Sequence, residues 1–450
     1  MALAIERLGR KGYLFENWSS TYSCRPELYF VPDTRDELRE ILTAAARFDK
    51  KVRVVGFGHS PSDLACTDDY LVSLEKFNRL LDIDKVNCTA TVEGGILLRD
   101  LNETLAQNGL GISVLGSISN LGLAGVISTG THGTGANYGV LSSYVLEMEM
   151  MTADGTIIKV SRDKEKDLFL ATVLGLGALG IILTVKIQCE QAFKLHLTRY
   201  PLPLDDVLSN LDVHLRSSDH FRFTWFPHTD GCVLWHLRRS QQPVKRQRSW
   251  FWDYAIGYYL LELLYWLSTF MPWMVSNINR LFYRLVFTQR VEEVDRSDRA
   301  FNYECLFKQY VTEWAIPREN TVLVLKELQA WLDNSKFFAH FPVEVRFVKA
   351  DDILISPASG RDSCYINIIM YRPYNKSVAH EQYWEAFERI MLQAGGRPHW
   401  AKAHNVTLEQ FRQMYPQWNR FAEIRKKLDP GGRFLNRYLQ RYFGLPDTKL

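Results

Sequence analysis

Short apolar runs alternate with amphipathic stretches from the beginning of the chain. A strand pattern at 28–31 precedes a helical pattern that opens after Pro32, with Asp33 or Thr34 as its N-cap, and a second strand pattern covers 51–55. Strand, helix and strand in this order form a compact βαβ unit. The pattern therefore predicts mixed helix and sheet at the start of the fold.

The mixed pattern of helices and strands, typical of an α+β fold, continues to about residue 190. The later elements are strand patterns at 71–74 and 90–96, a helical pattern at 98–108, a hairpin that turns at Asp154-Gly155, and a strand that ends at Val185. We therefore predict a first domain over residues 1–190. A helical pattern over 408–428 stops at Pro430 and two glycines, and we expect this C-terminal tail, 405–450, to pack back on the first domain.

Residues 191–404 have longer alternating strands and are predicted to form a second domain. Within it, the segment 250–275 is apolar and rich in Trp and Tyr, and it is long enough to span a bilayer. Glu262 and Pro272 argue against a simple span, and the basic residues Lys245, Arg246 and Arg248 suit the lipid headgroup boundary. Docking on a membrane or another hydrophobic surface is favoured over a core helix, and a core helix over a span.

Composition and charge exclude some classes of protein. Hydrophobic residues make up 46% of the 450 residues, which argues against disorder, and 54 basic against 51 acidic side chains leave a net charge of +3. This balance does not indicate a nucleic-acid partner. The N-terminus is charged and carries no apolar stretch long enough for a signal peptide, so classical secretion is not expected.

The seven cysteines lack the spacing of a disulfide framework or a zinc site. They include no CxxC pair and no histidine at metal-ligand spacing. We therefore predict no structural metal. The cysteines are Cys24, Cys66, Cys88, Cys189, Cys232, Cys305 and Cys364.

Two glycine-rich tracts carry the first candidate chemistry. The loop at 56–61 follows a strand, but it departs from the dinucleotide fingerprint because Pro61 holds the third position and no helix opens there. Gly56 and Gly58 still let backbone N–H groups approach a pyrophosphate, and His59 lies on this loop. A solvated loop histidine is the simpler interpretation of this motif taken by itself.

The second tract, 111–139, contains eight glycines in 29 residues. So many glycines cost chain entropy unless the backbone must bend or a ligand must lie against it. Two such tracts within 90 residues are expected when both ends of one extended ligand are held, although a loop-rich surface hairpin is the alternative. The tract also offers hydrogen-bonding side chains at Ser117, Ser119, Asn120, Ser128, Thr129, Thr131 and His132.

A third cluster lies in the predicted second domain. Strand alternation at 342–348 puts Glu344 and Arg346 on one face. The pattern by itself favours a surface ion pair, which contributes little stability. Farther along, His399 and Lys402 place a polar and a basic group close to an aromatic residue in the sequence. Such a combination of side chains is suited to bind a polyhydroxylated small molecule.

These motifs together resemble the aldonolactone oxidoreductases of the vanillyl-alcohol-oxidase flavoprotein superfamily, and within it the animal enzymes that act on L-gulono-1,4-lactone. The resemblance covers nearly the whole chain. The segments that carry it are 17–24, 54–69, 124–135, 151–155, 225–229, 250–262, 342–347, 361–374, 395–405 and 428–436.

The resemblance implies a two-domain α+β fold, in which an FAD domain is covered by a cap or substrate domain. It also implies that His59 bonds covalently to the flavin 8α-methyl group, as in the histidine-bearing members. The residues matched to FAD-lining positions are His59, Gly56, Phe57, Gly58, Ser60, Pro61, Ser117, Gly122, Gly125, Val126, Ile127, Ser128, His132 and Ile181.

The implied reaction is oxidation of the C2 hydroxyl of an aldono-1,4-lactone, with hydride passing to flavin N5, and a product that tautomerises to L-ascorbate. Glu344, Arg346 and Lys402 match substrate-site positions, with His399 beside them. Gly116 matches a position where the oxygen-resistant dehydrogenases carry alanine, so O2 is the expected electron acceptor and H2O2 its product.

The resemblance also implies residence on the endoplasmic reticulum (microsomal) membrane. Two alternatives stay open from the sequence. One is a sister aldonolactone or alditol oxidase, acting on D-arabinono- or L-galactono-lactone or on a polyol, and the other is a non-catalytic flavin-binding membrane scaffold. The sequence does not indicate the oligomeric state.

Overall fold

The first 190 residues build two sheets in the computed structural model of the chain, which describes residues 2–246, 249–303 and 306–444. The smaller sheet is parallel at its centre, where Tyr70–Ser73 lies between Leu28–Phe30 and Val52–Val55, the two strands that flank the predicted helix in sequence. The larger sheet is antiparallel. The strand order is Gly9–Arg10, Leu28–Phe30, Tyr70–Ser73, Val52–Val55 in the smaller sheet and Ile157–Ser161, Val145–Met151, Ile181–Gln188, Thr89–Glu93, Leu80–Asp84 in the larger.

The helix of the βαβ unit, Arg35–Arg47, begins where the sequence predicts. Thr34 is the N-cap, because its side chain accepts a hydrogen bond from the backbone N–H of Glu37. The second glycine tract contains the six-residue helix Leu123–Ser128, which Gly122 opens and which the sequence pattern did not predict. The helices of this region are Ala2–Leu8, Arg35–Arg47, Leu98–Gln107, Leu123–Ser128 and Lys166–Thr172, with 3-10 turns at Asp63–Ala65 and Leu141–Tyr144.

The middle of the chain folds around one eight-stranded sheet. Its register places Glu313, Asn367 and Glu344 in one row across three neighbouring strands. One face of this sheet therefore presents a line of polar side chains. The strand order is Val291–Arg296, Lys194–Pro203, Gly231–Ser240, His220–Trp225, Val343–Val348, Ser363–Tyr371, Gln309–Pro317 and Arg397–Pro398.

The remaining short elements complete the fold. Two-stranded pairs join Phe15–Glu16 to Ser23–Cys24 and Glu190–Gln191 to Leu110–Gly111. The helices of the middle region are Leu204–Ser209, Leu211–Arg216, Phe251–Leu260, Leu261–Ser268, Met274–Val286, Ser297–Phe301, Thr321–Ser335 and Glu381–Gln393, with 3-10 turns at Arg318–Asn320 and Pro373–Asn375.

The C-terminal tail differs from its predicted form. The single helix expected over 408–428 is two helices, Leu408–Met414 and Trp418–Leu428, because Pro416 cannot continue the first one. A last helix covers Arg437–Phe443. The amide of Asn436 donates to the carbonyls of Leu64 and Cys66, so the tail contacts the loop that carries His59. The domain boundaries themselves stay a prediction.

The apolar segment is divided between helices of different pitch. Phe251–Leu260 is π-helical, Leu261–Ser268 is α-helical, and Met274–Val286 follows after a turn. Tyr265 and neighbouring side chains on one face are buried in an apolar cluster, whereas Trp250 and Phe270 are exposed. No helix among the described residues is long and apolar enough to cross a membrane. Arg248 and Cys305 lie outside the described residues, as does the end of the predicted tail.

Several buried histidines make the fold sensitive to acid. Burial lowers the pKa of His340 and His404 to about 3, and that of His220 and His228 to about 4. In the unfolded chain these imidazoles titrate near pH 6.5. As the pH falls below 6.5 the unfolded state binds protons that the folded state does not, so each group lowers the free energy of unfolding between about pH 6.5 and its folded pKa.

We predict that the free energy of unfolding falls between pH 7.5 and pH 5.5, and that His404→Gln makes this fall smaller by about 1 kcal/mol. Urea titrations at the two pH values measure the difference. His196→Gln, at a partly exposed histidine paired with Glu292, is the control and should change the fall much less. An unchanged pH dependence in His404→Gln would contradict the account.

Candidate active site

One cavity of about 260 Å³ joins the two glycine tracts to the polar face of the eight-stranded sheet. It therefore brings together segments as far apart in the sequence as the loop at Gly56 and the segment at Lys402. The predicted site residues that line it are Gly56, Phe57, Gly58, His59, Ser60, Pro61, Gly116, Ser117, Gly122, Gly125, Val126, Ser128, His132, Glu344, Arg346, His399 and Lys402.

Two of the predicted lining residues are placed elsewhere. Ile181 is buried in the apolar cluster of the smaller sheet, and the next residue, Ile182, lines the cavity in its place. Successive strand residues point to opposite faces, so an offset of one residue moves the side chain away from the site. Ile127 is buried in the main apolar core, inside the short helix whose Val126 and Ser128 line the cavity.

The loop that carries His59 is held in position from both sides. Trp18 donates its backbone N–H to the carbonyl of Gly58 at 2.8 Å, and the hydroxyl of Ser62 donates to the carbonyl of Ala401 at 3.1 Å. Gly58 has φ +67, a conformation that favours glycine. This loop therefore connects the first domain to the segment that contains His399 and Lys402.

His59 is suited to act as a nucleophile. Its Nδ1 is buried and has no hydrogen-bond partner among the described residues. Burial lowers the pKa of the imidazole below its usual range. The ring is therefore neutral near pH 7, and a neutral ring nitrogen has the lone pair that a nucleophile needs.

The two glycine tracts together fit an extended polar cofactor. A Cβ atom added to Gly56 or to Gly125 would meet no protein atom within 4 Å, so both backbones face open space in the cavity. A Cβ added to Gly95, in contrast, would lie 1.8 Å from the carbonyl oxygen of Leu74, so this glycine closes the wall. The orphaned nitrogen of His59 and the open glycine backbones together fit a flavin dinucleotide.

Glu344 and Arg346 form the polar centre of the site. The Arg346 guanidinium donates to the Glu344 carboxylate and to the Ser117 hydroxyl, at 2.6 Å in each case, and Arg222 donates to the other carboxylate oxygen at 3.2 Å. Burial disfavours the charged form of Arg346, but Glu344 and the neighbouring Tyr303 and Glu313 together outweigh burial and raise the pKa of the guanidinium. The pair is buried in the cavity, so the surface ion pair favoured by the strand pattern is not what the structure shows.

His399 and Lys402 lie at the other side of the cavity. The backbone N–H of Ala401 donates to His399 Nδ1 at 3.1 Å. Burial lowers the pKa of His399 to about 3, so this imidazole is neutral. The Lys402 ammonium lies 3.7 Å from the carboxylate of Glu313.

Several residues of the site were not predicted from the sequence. Glu313 and Asn367 line the cavity from neighbouring strands, and Trp18 and Tyr303 line it from loops. The signal for the two strand residues was present, since each is a polar position inside an otherwise apolar strand. The two aromatic residues carried no such signal, because aromatics are frequent throughout this chain.

Gly116 lies against the turn that precedes His132. A Cβ at this position would approach the methyl group of Thr131 to 3.3 Å and the carbonyl oxygen of His132 to 3.4 Å. These contacts are tight but need a shift of a few tenths of an ångström at most. An alanine is therefore compatible with the fold and would narrow the cavity at this point.

Two family models match the chain. The model described as FAD binding domain matches residues 26–161, and the model described as D-arabinono-1,4-lactone oxidase matches residues 185–442. The L-gulonolactone oxidase of Scyliorhinus torazame is 54% identical over 97% of this chain and 99% of its own. The chain belongs to the aldonolactone oxidoreductase family. It is thus an FAD-dependent oxidoreductase, and its flavoprotein superfamily is the one that the sequence motifs indicate.

Other members of this family differ in the stated activity. The L-gulonolactone oxidase of Bos taurus is 50% identical over 97% of this chain and 99% of its own. An L-gulono-1,4-lactone dehydrogenase of Mycobacterium tuberculosis is 34% identical over 96% of this chain and 99% of its own. Both oxidases and dehydrogenases are therefore among the relatives.

The solved structures agree with the expected fold. A cholesterol oxidase from B. sterolicum superimposes with a TM-score of 0.81 at 16% identity, over 96% of each chain. A second structure, a solvent-stable cholesterol oxidase, superimposes with a TM-score of 0.80 over 96% of this chain and 97% of the other. The prediction of a two-domain FAD-binding α+β fold is confirmed.

Proposed function

We propose that this protein oxidises L-gulono-1,4-lactone at its C2 hydroxyl and that O2 takes up the electrons. The balanced reaction converts lactone and O2 into a 2-keto lactone and H2O2, and the keto lactone tautomerises to L-ascorbate. The observation that carries the proposal is the buried Glu344–Arg346 pair, which lies in the cavity that also contains the His59 loop. The identity to L-gulonolactone oxidases supports the choice of lactone.

The side chains of the cavity have different roles in binding and activating the substrate. A bound FAD would accept the hydride from C2 and pass the electrons on. Arg346 is placed to stabilise negative charge on the C2 oxygen, since its Nε has no hydrogen-bond partner among the described residues. Glu344 can accept hydrogen bonds from sugar hydroxyls, and Lys402 can orient the lactone or assist removal of the hydroxyl proton.

We predict that the purified protein releases H2O2 when it is mixed with L-gulono-1,4-lactone in air, and that Glu344→Gln lowers kcat by about 100-fold. The amide keeps the shape but loses the charge that holds Arg346. A peroxide-coupled assay measures the rates, and flavin absorbance measures the FAD content, which should stay near that of the wild type. Glu409→Gln, at an exposed residue, is the control.

The same assay distinguishes the alternatives. Faster turnover of D-arabinono- or L-galactono-lactone, or of a polyol, would show a sister oxidase. Absence of turnover with all of them in a flavin-loaded protein would favour a non-catalytic scaffold. A parallel loss of FAD and activity in Glu344→Gln would show that the pair is structural.

The attachment of FAD through His59 is part of this proposal. The neutral imidazole and the unpartnered Nδ1 support it. We predict that acid-precipitated wild-type protein is yellow, and that His59→Ala releases all of its flavin into the supernatant. Mass spectrometry of the tryptic peptide checks the site, with His404→Gln as the control that should keep the bond. Flavin still bonded to the His59→Ala peptide would contradict the assignment.

The use of O2 as acceptor depends on the space at Gly116. A methyl group there would contact Thr131 and narrow the cavity. We predict that Gly116→Ala slows aerobic reoxidation of the reduced enzyme by about 10-fold or more, while reduction by the lactone changes less. Stopped-flow absorbance measures both half-reactions. A wild-type enzyme that stays reduced in air while a cytochrome oxidises it quickly would show a dehydrogenase instead.

We also propose that the protein docks on a membrane surface, which the resemblance assigns to the endoplasmic reticulum. Large apolar side chains are exposed at the ends of the helices in this segment. Trp250, 68% exposed, directly precedes Phe251–Leu260, and Phe270 and Trp273, 61% and 58% exposed, lie in the turn before Met274–Val286. Lys245 and Arg284 lie in the same part of the chain. Aromatic residues beside basic ones suit the boundary between headgroups and acyl chains.

We predict that replacing Trp250, Phe270 and Trp273 together by serine lowers binding to anionic phospholipid vesicles by about 10-fold. Vesicle co-sedimentation measures the binding. The matched control replaces three exposed apolar residues elsewhere, Val86, Val213 and Leu323. Equal binding by the two triple variants would contradict docking through these helices.

A further inference from the structure

Two cysteines from separate segments meet beside the loop that carries His59. Cys24 ends a short strand, and Cys66 directly follows the turn Asp63–Ala65. Both side chains are partly exposed and pack on one small apolar cluster. The backbone N–H of Thr67, the residue after Cys66, donates a hydrogen bond to Cys24 Sγ at 3.3 Å. The sulfur of Cys24 therefore lies directly against the chain at Cys66.

The two thiols also interact with each other. Hydrogen bonds from the Cys66 thiol and from the N–H of Thr67 lower the pKa of Cys24 below that of a free thiol, although burial and Asp68 act in the opposite direction. The same contact between the sulfurs raises the pKa of Cys66. Cys24 thus carries the thiolate, which is the nucleophilic form, and Cys66 keeps its proton beside it.

A second pair of neighbouring cysteines lacks this contact. Cys189 donates its backbone N–H to the carbonyl of Cys88 at 2.7 Å, so the two residues lie opposite each other at the ends of paired strands. Their thiols, however, donate to backbone carbonyls, those of Lys85 at 3.7 Å and Ile187 at 3.9 Å. Burial raises the pKa of Cys189 to about 12. The second pair is therefore a built-in comparison, in which two close cysteines do not share a thiolate.

The first pair joins two segments that border the first glycine tract. Cys24 belongs to a hairpin whose loop carries Trp18, and Trp18 donates its backbone N–H to the carbonyl of Gly58. Ala65, directly before Cys66, lines the cavity. A covalent bond between the two sulfurs would therefore tie the hairpin to the far end of the His59 loop.

We propose that Cys24 and Cys66 are a peroxide-reactive pair whose oxidation forms a disulfide between this hairpin and the His59 loop. Both thiols are partly exposed, so a small oxidant such as H2O2 can reach them. The proposal concerns a modification site outside the cavity chemistry. It gains a source of oxidant from the proposed lactone oxidation, which releases H2O2, but the reactivity of the pair does not depend on that function.

The oxidation takes place in two steps. The Cys24 thiolate attacks one oxygen of H2O2, the O–O bond breaks, and the products are a sulfenic acid and hydroxide. The sulfur of Cys66 then attacks Cys24 Sγ, the S–S bond forms, and the sulfenic oxygen leaves as water with the proton of the Cys66 thiol. The hydroxide takes up the proton that Cys24 had released. In total, two thiols lose two electrons and two protons, and one H2O2 becomes two molecules of water.

The test compares the wild-type holoenzyme with Cys24→Ser, Cys66→Ser and, as the matched control in the second pair, Cys88→Ser. Reducing agent is removed, each protein is exposed to a small excess of H2O2 at neutral pH, and the remaining thiols are blocked with N-ethylmaleimide. Mass spectrometry of the intact protein counts the blocked thiols. A non-reducing tryptic digest locates the bond between peptides 12–35 and 54–76. The second peptide also contains His59, so the linked product is sought with and without attached flavin.

We expect the wild type and Cys88→Ser to lose two reactive thiols, to yield the linked peptide and to recover both thiols with dithiothreitol. In Cys66→Ser the sulfenic acid of Cys24 should persist and be trapped by dimedone, because its partner is absent. In Cys24→Ser the oxidation of Cys66 should be slower by about 10-fold or more, because a protonated thiol is a poor nucleophile. Turnover of the lactone in air should give the same linked peptide, and catalase should suppress it.

The proposal is wrong if peroxide consumes thiols of the wild type without forming the linked peptide. It is also wrong if Cys24→Ser loses thiols as fast as the wild type, or if the only linked peptides join Cys88 to Cys189. A failure of the proposed function has a different signature. In that case the lactone is not oxidised by any of the four proteins, whereas the response to added H2O2 still decides whether the pair is reactive.

Discussion

Charged side chains on the inner face of the eight-stranded sheet must compensate one another, because an unpaired buried charge costs several kcal/mol. Glu344 meets this requirement by lying between two guanidinium groups, those of Arg222 and Arg346. Removal of the carboxylate would leave two like charges close together with few other partners. The charge balance at the polar centre of the cavity therefore depends on this one carboxylate.

The rest of the fold brings the cofactor loops to that charged face. The Ser62 hydroxyl bonds the His59 loop to the segment that carries Lys402, and the Ser117 hydroxyl bonds the second glycine tract to Arg346. Asn436 fixes the other end of the His59 loop from the C-terminal tail. Each contact links segments that lie far apart in sequence, so cofactor and substrate groups are held in one frame, as hydride transfer at near contact distance requires.

Local patterns predicted much of this arrangement. The helix cap at Asp33 or Thr34 and the hairpin at Gly155 follow from local cap and turn residues, and the shared face of Glu344 and Arg346 follows from the strand period. The break at Pro416 was also visible in the sequence, but the helical pattern on both sides of it concealed it. Ile181 shows the limit of motif matching, because a strand face changes with every residue and an offset of one selects a side chain that does not line the cavity.

Other features depend on contacts that no local pattern contains. Glu313 is polar in an apolar strand, which marks it as unusual, but its contacts with His132 and Lys402 come from three separate segments. The π-helical pitch of Phe251–Leu260 likewise could not be predicted from a uniformly apolar run. Composition predicted an apolar surface in this region, and the fold decided which side chains are exposed.

Anaerobic mixing of the purified protein with L-gulono-1,4-lactone tests the central claim most directly. The readout is the flavin absorbance band at about 450 nm. The account predicts that the lactone bleaches this band without any other reductant, because the charged face holds C2 against the cofactor. A band that dithionite bleaches and the lactone leaves unchanged would contradict it.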